Sequence, residues 1–315
     1  MNALAEPGEP GSWHAALVYR DPGEFDHAAC GFAEAAAQAD AAVLIACTGP
    51  SLSRLQARLS ALGDHLAWAD MASMGANPAR LIPAISRFAD QHPGRPVWCV
   101  QEAAWAARPP EELWEVIRHE ALMNLALADG QVRLLCLYHA ELDAELISSA
   151  EATHPVLGRD GRWQPSSRYH HSSHAPFPRQ CDQPLPPPPA SAQTLRYRDD
   201  LVGLRRLVAR CAQAVSLPPR RAEDLLIAVS ELAANTFAHT AGPGTLMVWA
   251  TGSRITCQIH DTGHIADPLA GQRRPDPAAG GRGRGLWLVH QLCDLVQVRT
   301  GPAGTTIRVH MPLAS

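Results

Sequence analysis

Apolar positions in the first half of the chain come as short runs separated by longer stretches of mixed character. Residues 41–47 (AAVLIAC), 65–69, 96–101 (PVWCVQ) and 132–138 (VRLLCLY) are such runs. Short, mostly apolar segments suit strands of a parallel sheet buried on both faces. The intervening stretches 24–38, 51–62, 78–91 and 111–128 read as helices. This alternation of strand and helix predicts a three-layer α/β domain over about residues 10–164.

The second half has a different rhythm. A helix is expected over about 197–215, with Leu201, Leu204, Leu207, Val208, Cys211 and Val215 on one face. Another is expected over about 219–239, where Pro218-Pro219 suits a helix start. Two alternating strands follow, one with Leu246, Val248 and Ala250, the other with Ile255, Cys257 and Ile259. A loop over 261–283 leads into a helix at about 284–293. A last hairpin joins 295–299 to 305–311 across Gly301-Pro302-Ala303-Gly304. Antiparallel hairpins with helices on one face predict a two-layer α/β sandwich over 195–315. Between the two halves, residues 165–194 are Pro-rich, ending in Pro184-Leu185-Pro186-Pro187-Pro188-Pro189. Such a segment favours extended polyproline II and reads as a semi-rigid linker.

Composition narrows the class. The 315 residues carry a formal net charge of -4, and the arginine clusters (Arg205/Arg206, Arg220/Arg221, Arg273/Arg274) are short. That argues against direct nucleic-acid binding, which needs a concentrated basic surface. The clusters read as solvated helix or loop faces. No apolar stretch has the length to cross a bilayer. The first residues lack a basic start and an apolar run, so no signal peptide is expected and the chain is expected to be cytoplasmic. The eight cysteines form no Cys-x-x-Cys pair, and in a reducing compartment they read as small buried hydrophobes.

Four motifs carry chemistry. Glu231 and Asn235 are four residues apart on the second of the C-terminal helices, hence on one face, with His239 continuing it. A carboxylate there can serve as a base, and an amide oxygen suits a hard cation such as Mg²⁺. Spacing alone is a poor signal: Glu120 and Asn124 repeat it in the first half, where an isolated pair reads as a solvated polar stripe. Asp261-Thr262-Gly263 ends a strand; its carboxylate can accept from an exocyclic amine, and Gly263 lets the backbone come close. An ordinary Asp-x-Gly turn is the common alternative. Gly280-Gly281-Arg282-Gly283-Arg284-Gly285-Leu286 precedes a helix directly. Its backbone N–H groups, the helix N-terminus and the two arginines could hold phosphate oxygens. Neither a dinucleotide fingerprint nor a Walker A motif fits this run, since it follows no strand of a βαβ unit and contains no Gly-Lys-Ser/Thr. Lastly, Thr305 and Thr306 open the final strand with hydroxyls.

In that order, the four motifs resemble the GHKL ATPases, and among them the anti-sigma-factor serine kinases, over about 195–315. The resemblance implies a Bergerat-type fold that binds ATP with Mg²⁺. It implies that Asn235 holds the metal, Asp261 reads adenine, and Gly281, Gly283 and Gly285 close on the triphosphate. His239, Gly263, Arg282, Arg284, Leu286, Thr305 and Thr306 would complete the nucleotide site, with Glu231 as general base. The implied partners are a sigma factor, a STAS-type anti-anti-sigma protein, or both, in transcriptional regulation and stress response. A homodimer is compatible with the resemblance. Ile265 departs from the family pattern, which often has glycine there. The Pro-rich segment cannot be the phospho-acceptor helical hairpin that a histidine kinase needs. A non-catalytic nucleotide-gated binding module and a histidine-kinase-like protein without its acceptor domain are the alternatives.

The first half resembles the MEDS (DcmR-type) sensory domain. The matching residues are His14 and Tyr19, Glu120 and Asn124, Leu135-Cys136-Leu137-Tyr138, and Thr153-His154-Pro155. Leu137 and His139 depart from the family's LCPYD-like segment. The resemblance implies an eroded RecA-like sensor that binds an unknown small-molecule or metal signal without ATP hydrolysis. Strand ends of an α/β sheet meet at one edge, so His14, Cys136, His139 and His154 are candidates to converge on a metal or cofactor. Packed or surface histidines and a core cysteine are the plainer reading, because no local metal spacing exists. The same applies to His170, His171, His174 and Cys181 in the linker.

Overall fold

The structure is a computed structural model, and it describes residues 13–128, 132–159, 162–169, 181, 184–275 and 283–313. The chain divides into two compact units, Met1–Asp182 and Gln183–Ser315.

The first unit is a three-layer α/β domain. Its strands are β1 (Trp13–Tyr19), β2 (Ala42–Cys47), β3 (Leu66–Asp70), β4 (Val97–Ala104), β5 (Val132–His139), β6 (Val156–Arg159) and β7 (Arg162–Pro165). They lie in the order β3-β2-β4-β5-β1-β6-β7. Every pairing is parallel except the β6–β7 hairpin at one edge. Every residue of β2 and β4 is buried, which is why β2 and the first half of β4 read as apolar runs, while Gln101 and Glu102 continue β4 as buried polar residues. The helices are α1 (Pro22–Gln38), α2 (Gly49–Arg58), α3 (Met71–Met74), α4 (Leu81–Asp90), α5 (Pro110–Ala126) and α6 (Ala144–Thr153). Phe25 and Phe32 of α1 and Leu55 of α2 pack with Ile45, Trp98, Val100, Leu135 and Leu137 on one sheet face. Side chains alternate across a strand, so His14, Gln101 and Cys136 face the other side, towards α5.

Several elements differ from the sequence expectation. The stretch 51–62 is helical only to Arg58, and a 3₁₀ segment follows over Ser60–His65. The stretch 78–91 opens with a 3₁₀ turn over Pro78–Arg80, with Asn77 Oδ1 accepting from the Ala79 N–H. Helix α6 is not signalled by the sequence, because AELISSAEAT has little apolar period; Asp143 starts it by accepting from the N–H groups of Glu145 and Leu146.

The second unit is a two-layer sandwich. Its antiparallel sheet has the order β11-β12-β10-β9-β8, built from β8 (Gln193–Tyr197), β9 (Gly244–Thr251), β10 (Arg254–Asp261), β11 (Leu295–Gly301) and β12 (Gly304–Pro312). Helices α7 (Leu201–Ala214), α8 (Pro219–His239) and α9 (Arg284–Leu292) cover one face. Leu204, Val208, Leu225, Val229, Leu246, Ile255, Val289 and Val309 form the core between the layers. The helix expected from residue 197 begins only at Leu201, where Asp200 accepts from the Gly203 N–H. Residues 193–197 instead pair with β9, because an edge strand there buries Tyr197 in the core. The opposite sheet face carries a polar layer. The Arg308 guanidinium donates to Gln258 Oε1 and, at 2.6 Å, to the Pro186 carbonyl, and it lies over the Trp249 ring. Part of the Pro-rich stretch is therefore tied to β12.

Candidate nucleotide site

Helix α8 places Glu231 and Asn235 one turn apart, and the register of β10 with β12 places Asp261 opposite Thr305. Between them opens a cleft of about 510 Å³. Its apolar walls include Leu232, Ile259, Ile265, Leu269, Leu286 and Ile307, and Asp261, Asn235 and Thr305 supply polar groups.

Asp261 is held by two donors. Its Oδ2 accepts from the Thr236 hydroxyl at 2.7 Å, and its Oδ1 from the Gly263 N–H at 2.8 Å. The Tyr197 hydroxyl lies 3.0 Å from Thr236 Oγ1. Since Thr236 donates to Asp261, Tyr197 donates to Thr236. Burial, partly offset by the Thr236 hydrogen bond, pushes Tyr197 up to about 12, so its hydroxyl keeps its proton at neutral pH. This chain of donors aims the carboxylate. Neither Tyr197 nor Thr236 belongs to a recognisable motif, and only the packing of β8 against α8 reveals them.

Gly285 brings the glycine run to α8. A Cβ on Gly285 would lie 2.8 Å from Glu231 Oε2 and 3.5 Å from Asn235 Oδ1, so the start of α9 lies against both side chains, and a larger residue there would push the Glu231 carboxylate aside. Gly283 precedes it with φ +76°, a left-handed conformation that favours glycine. The free N–H groups of the first turn of α9 are thus directed to the same cleft as Asn235.

The remaining predicted residues are placed as follows. His239, Gly263, Gly283, Gly285, Leu286 and Thr305 line the cleft. Thr305 also donates to the Gly263 carbonyl. Thr306 points to the other face of β12, where its hydroxyl meets His260 Nδ1 at 3.0 Å, and it is not among the lining residues. Strand alternation separates the two threonines. Arg284 is exposed and outside the lining as well. Gly281 and Arg282 lie outside the described residues. Arg273 and Arg274 are exposed, as expected of a solvated loop, and also stand in the lining of the cleft.

The residues fit a nucleotide with a divalent cation. An apolar slot with a fixed carboxylate suits an aminopurine, an amide oxygen suits Mg²⁺, and a helix N-terminus with two arginines suits phosphate.

In the first unit, His14, Cys136 and His154 do converge, together with Glu120, on the buried sheet face beneath α5. His139 does not join them: it is partly exposed at the end of β5, packed edge-on to Tyr19, with Nδ1 accepting from the Glu141 N–H. Nor are Glu120 and Asn124 a solvated stripe. Glu120 is 1% exposed, and Asn124 binds His14 and the Thr153 carbonyl. Among the linker candidates Cys181 is buried, and His170, His171 and His174 lie outside the described residues.

Comparison with known proteins agrees with both halves. Residues 13–155 match the family model of the MEDS domain, the methanogen/methylotroph DcmR sensory domain. Residues 196–311 match that of the histidine kinase-like ATPase domain. No curated protein matches the chain. One similar solved structure is that of the RsbU and RsbW domains of Rv1364c from Mycobacterium tuberculosis. It is 13% identical with a TM-score of 0.31, over 40% of this chain and 34% of that one. That likeness is too distant to carry an argument. Among the described residues no helix is long and apolar enough to cross a membrane. The chain thus joins a MEDS sensory domain to a histidine kinase-like ATPase domain, the layout of a signalling regulator.

Proposed function

We propose that the N-terminal domain senses a signal and controls a C-terminal module that binds Mg-ATP and phosphorylates Ser or Thr of an anti-anti-sigma partner, or holds a sigma factor. The observation that carries this reading is the meeting of Asp261, Asn235 and the start of α9 around one cleft, with Glu231 beside Gly285 though not itself among the lining residues. Phosphoryl transfer needs mainly positioning and charge neutralisation. Asp261, fixed by Thr236 and Gly263, would accept from the adenine amine. Asn235 would hold Mg²⁺ by its amide oxygen. The α9 N-terminus with Gly283 and Gly285, joined by Arg273 and Arg274, would neutralise the phosphates. Glu231 would accept the proton of the incoming hydroxyl, a contribution of about 10²–10⁴-fold in rate. Protein phosphorylation on serine is favoured over a histidine-kinase reading by the segment ahead of the module. The Pro-rich run Pro184-Leu185-Pro186-Pro187-Pro188-Pro189 cannot form the helical hairpin that presents a phospho-acceptor histidine.

The test is recovery of partners from host cytosol on the full-length protein with labelled ATP. Acid-stable label on a bound partner is expected. Glu231→Ala should keep ATP affinity within a few-fold yet abolish transfer. Partners that never become labelled would leave a nucleotide-gated binding module. Acid-labile label would mark a histidine kinase.

A further inference from the structure

The buried cluster in the first unit has a chemistry that its packing does not explain. Four donor atoms, one each from His14, Glu120, Cys136 and His154, all lie within 4.8 Å of one another. Each residue is 2% exposed or less. They come from separate elements: β1, α5, β5 and the residue that ends α6.

Hydrogen-bond partners fix which imidazole nitrogens face inward. His154 Nδ1 lies 2.7 Å from the Ala150 carbonyl. A carbonyl only accepts, so Nδ1 carries the proton and Nε2 presents a lone pair. That Nε2 has no hydrogen-bond partner, and Glu120 Oε2 lies 3.7 Å away, beyond reach. The Asn124 amide donates to the Thr153 and Glu120 carbonyls, so its oxygen accepts from His14 Nδ1 at 3.0 Å. His14 Nε2 therefore also presents a lone pair, 3.1 Å from Glu120 Oε2 and 3.2 Å from Cys136 Sγ. The Cys136 thiol is the one donor among them, 3.2 Å from His14 Nε2 and 3.5 Å from Glu120 Oε2; it serves one acceptor at a time, and the rest point at one another in a dry interior, an arrangement a cation between them would satisfy. A single shared proton would relieve His14 and Glu120 but would leave His154 Nε2 orphaned.

We propose that His14, Glu120, Cys136 and His154 form a closed four-ligand site for a zinc-class divalent ion. Imidazole, thiolate and carboxylate are the ligands such an ion takes. Bonds of about 2.0–2.3 Å in a tetrahedron set donors about 3.3–3.8 Å apart; His14 Nε2 lies 3.1 Å from Glu120 and 3.2 Å from Cys136, and His154 Nε2 3.7 Å from Glu120, with all four donors within 4.8 Å. A set this tight leaves room for one ion and no organic molecule. The outer shell is also in place: Asn124 and the Ala150 carbonyl orient the two imidazoles, and Gln101 Nε2 donates to Glu120 and, at 3.0 Å, to Cys136 Sγ. With four protein ligands the site stores an ion and activates no water, so metal occupancy would stabilise the sensory domain as it folds.

The experiment uses the full-length protein, metal-depleted by chelator and reloaded with zinc or, as a spectroscopic probe, cobalt(II). The expected results are about one equivalent of zinc per chain, a raised thermal midpoint, and tetrahedral cobalt bands with one thiolate-to-metal charge-transfer band. Cys136→Ser should abolish the charge-transfer band, and a Cys136→Ser/His154→Gln double variant should hold no stoichiometric metal. Cys30→Ala, on α1, should leave the bands intact. Folded wild-type protein that takes up no zinc, or cobalt without a charge-transfer band, would overturn the proposal without recourse to variants. So would a charge-transfer band that survives Cys136→Ser, because the ion would then sit on another cysteine.

Discussion

Asp261→Asn keeps size and shape but removes the charge in the cleft. In the wild type both carboxylate oxygens are engaged, by Thr236 at 2.7 Å and Gly263 at 2.8 Å. An Asn can keep its oxygen on the Gly263 N–H, but its NH₂ then faces the Thr236 hydroxyl. Thr236 can turn its proton to the Leu232 carbonyl, 3.4 Å away, so the fold should lose only about 0.5–1.5 kcal/mol, one ordinary hydrogen bond. The nucleotide loses more. A hydrogen bond to a charged acceptor contributes about 1.5–3 kcal/mol, which is a fall in ATP affinity of roughly 10- to 150-fold. The amide also offers a donor where the carboxylate offered only acceptors, so discrimination against GTP, which presents a carbonyl at that edge, should narrow. Titration calorimetry with ATP, GTP and a non-hydrolysable ATP analogue in the presence of Mg²⁺ measures both effects. Thermal unfolding without nucleotide checks that the variant is folded. ATP affinity within twofold of wild type, in a folded variant, would refute the adenine-reading role of Asp261.

Gly285→Ala would place a Cβ 2.8 Å from Glu231 Oε2. Alanine favours a helix by up to about 1 kcal/mol, so thermal stability should hold while phosphate transfer, assayed on the recovered partner, falls about tenfold or more as Glu231 is displaced. Tyr197→Phe removes the hydrogen bond behind Thr236 and should cost about 1–3 kcal/mol of stability in denaturant melts, with a smaller loss of ATP affinity than Asp261→Asn. His310 is buried between Thr256 and Gln297. Burial, with Arg254 and Arg308, lowers its pKa from 6.5 to about 3. Below pH 6.5 the unfolded chain therefore binds a proton that the folded chain refuses, so stability falls as pH falls. The loss is at most about 2 kcal/mol between pH 6.5 and 5. Amide exchange of β10 and β12, corrected for intrinsic rates, should quicken over that range in the wild type and much less in His310→Gln.

The sequence by itself determined the two fold classes and pointed to Asn235, Asp261, Gly283 and Gly285, which the structure brings to one candidate cleft. Parallel strands buried on both faces are mostly apolar, so β2 and the apolar stretches of β4 and β5 announced themselves. The four C-terminal motifs are local: Glu231 and Asn235 share a helical face, and Gly283 and Gly285 stand at a helix start. Short range was enough to find them. Tertiary structure decided what depends on distant parts of the chain. Tyr197 and Thr236 support Asp261 only because an edge strand crosses α8, and residues 193–197 became that strand because it buries Tyr197. Thr305 and Thr306 look alike in sequence, yet the register of β10 with β12 turns one to the cleft and the other away. In the first unit, Glu120 has the spacing of a surface pair with Asn124, and His139 has the chemistry of a ligand. The fold buries Glu120 beside His14 and leaves His139 at the end of β5. Which polar side chains meet is set by the pleat and crossing of elements more than a hundred residues apart, and a linear pattern does not carry that information.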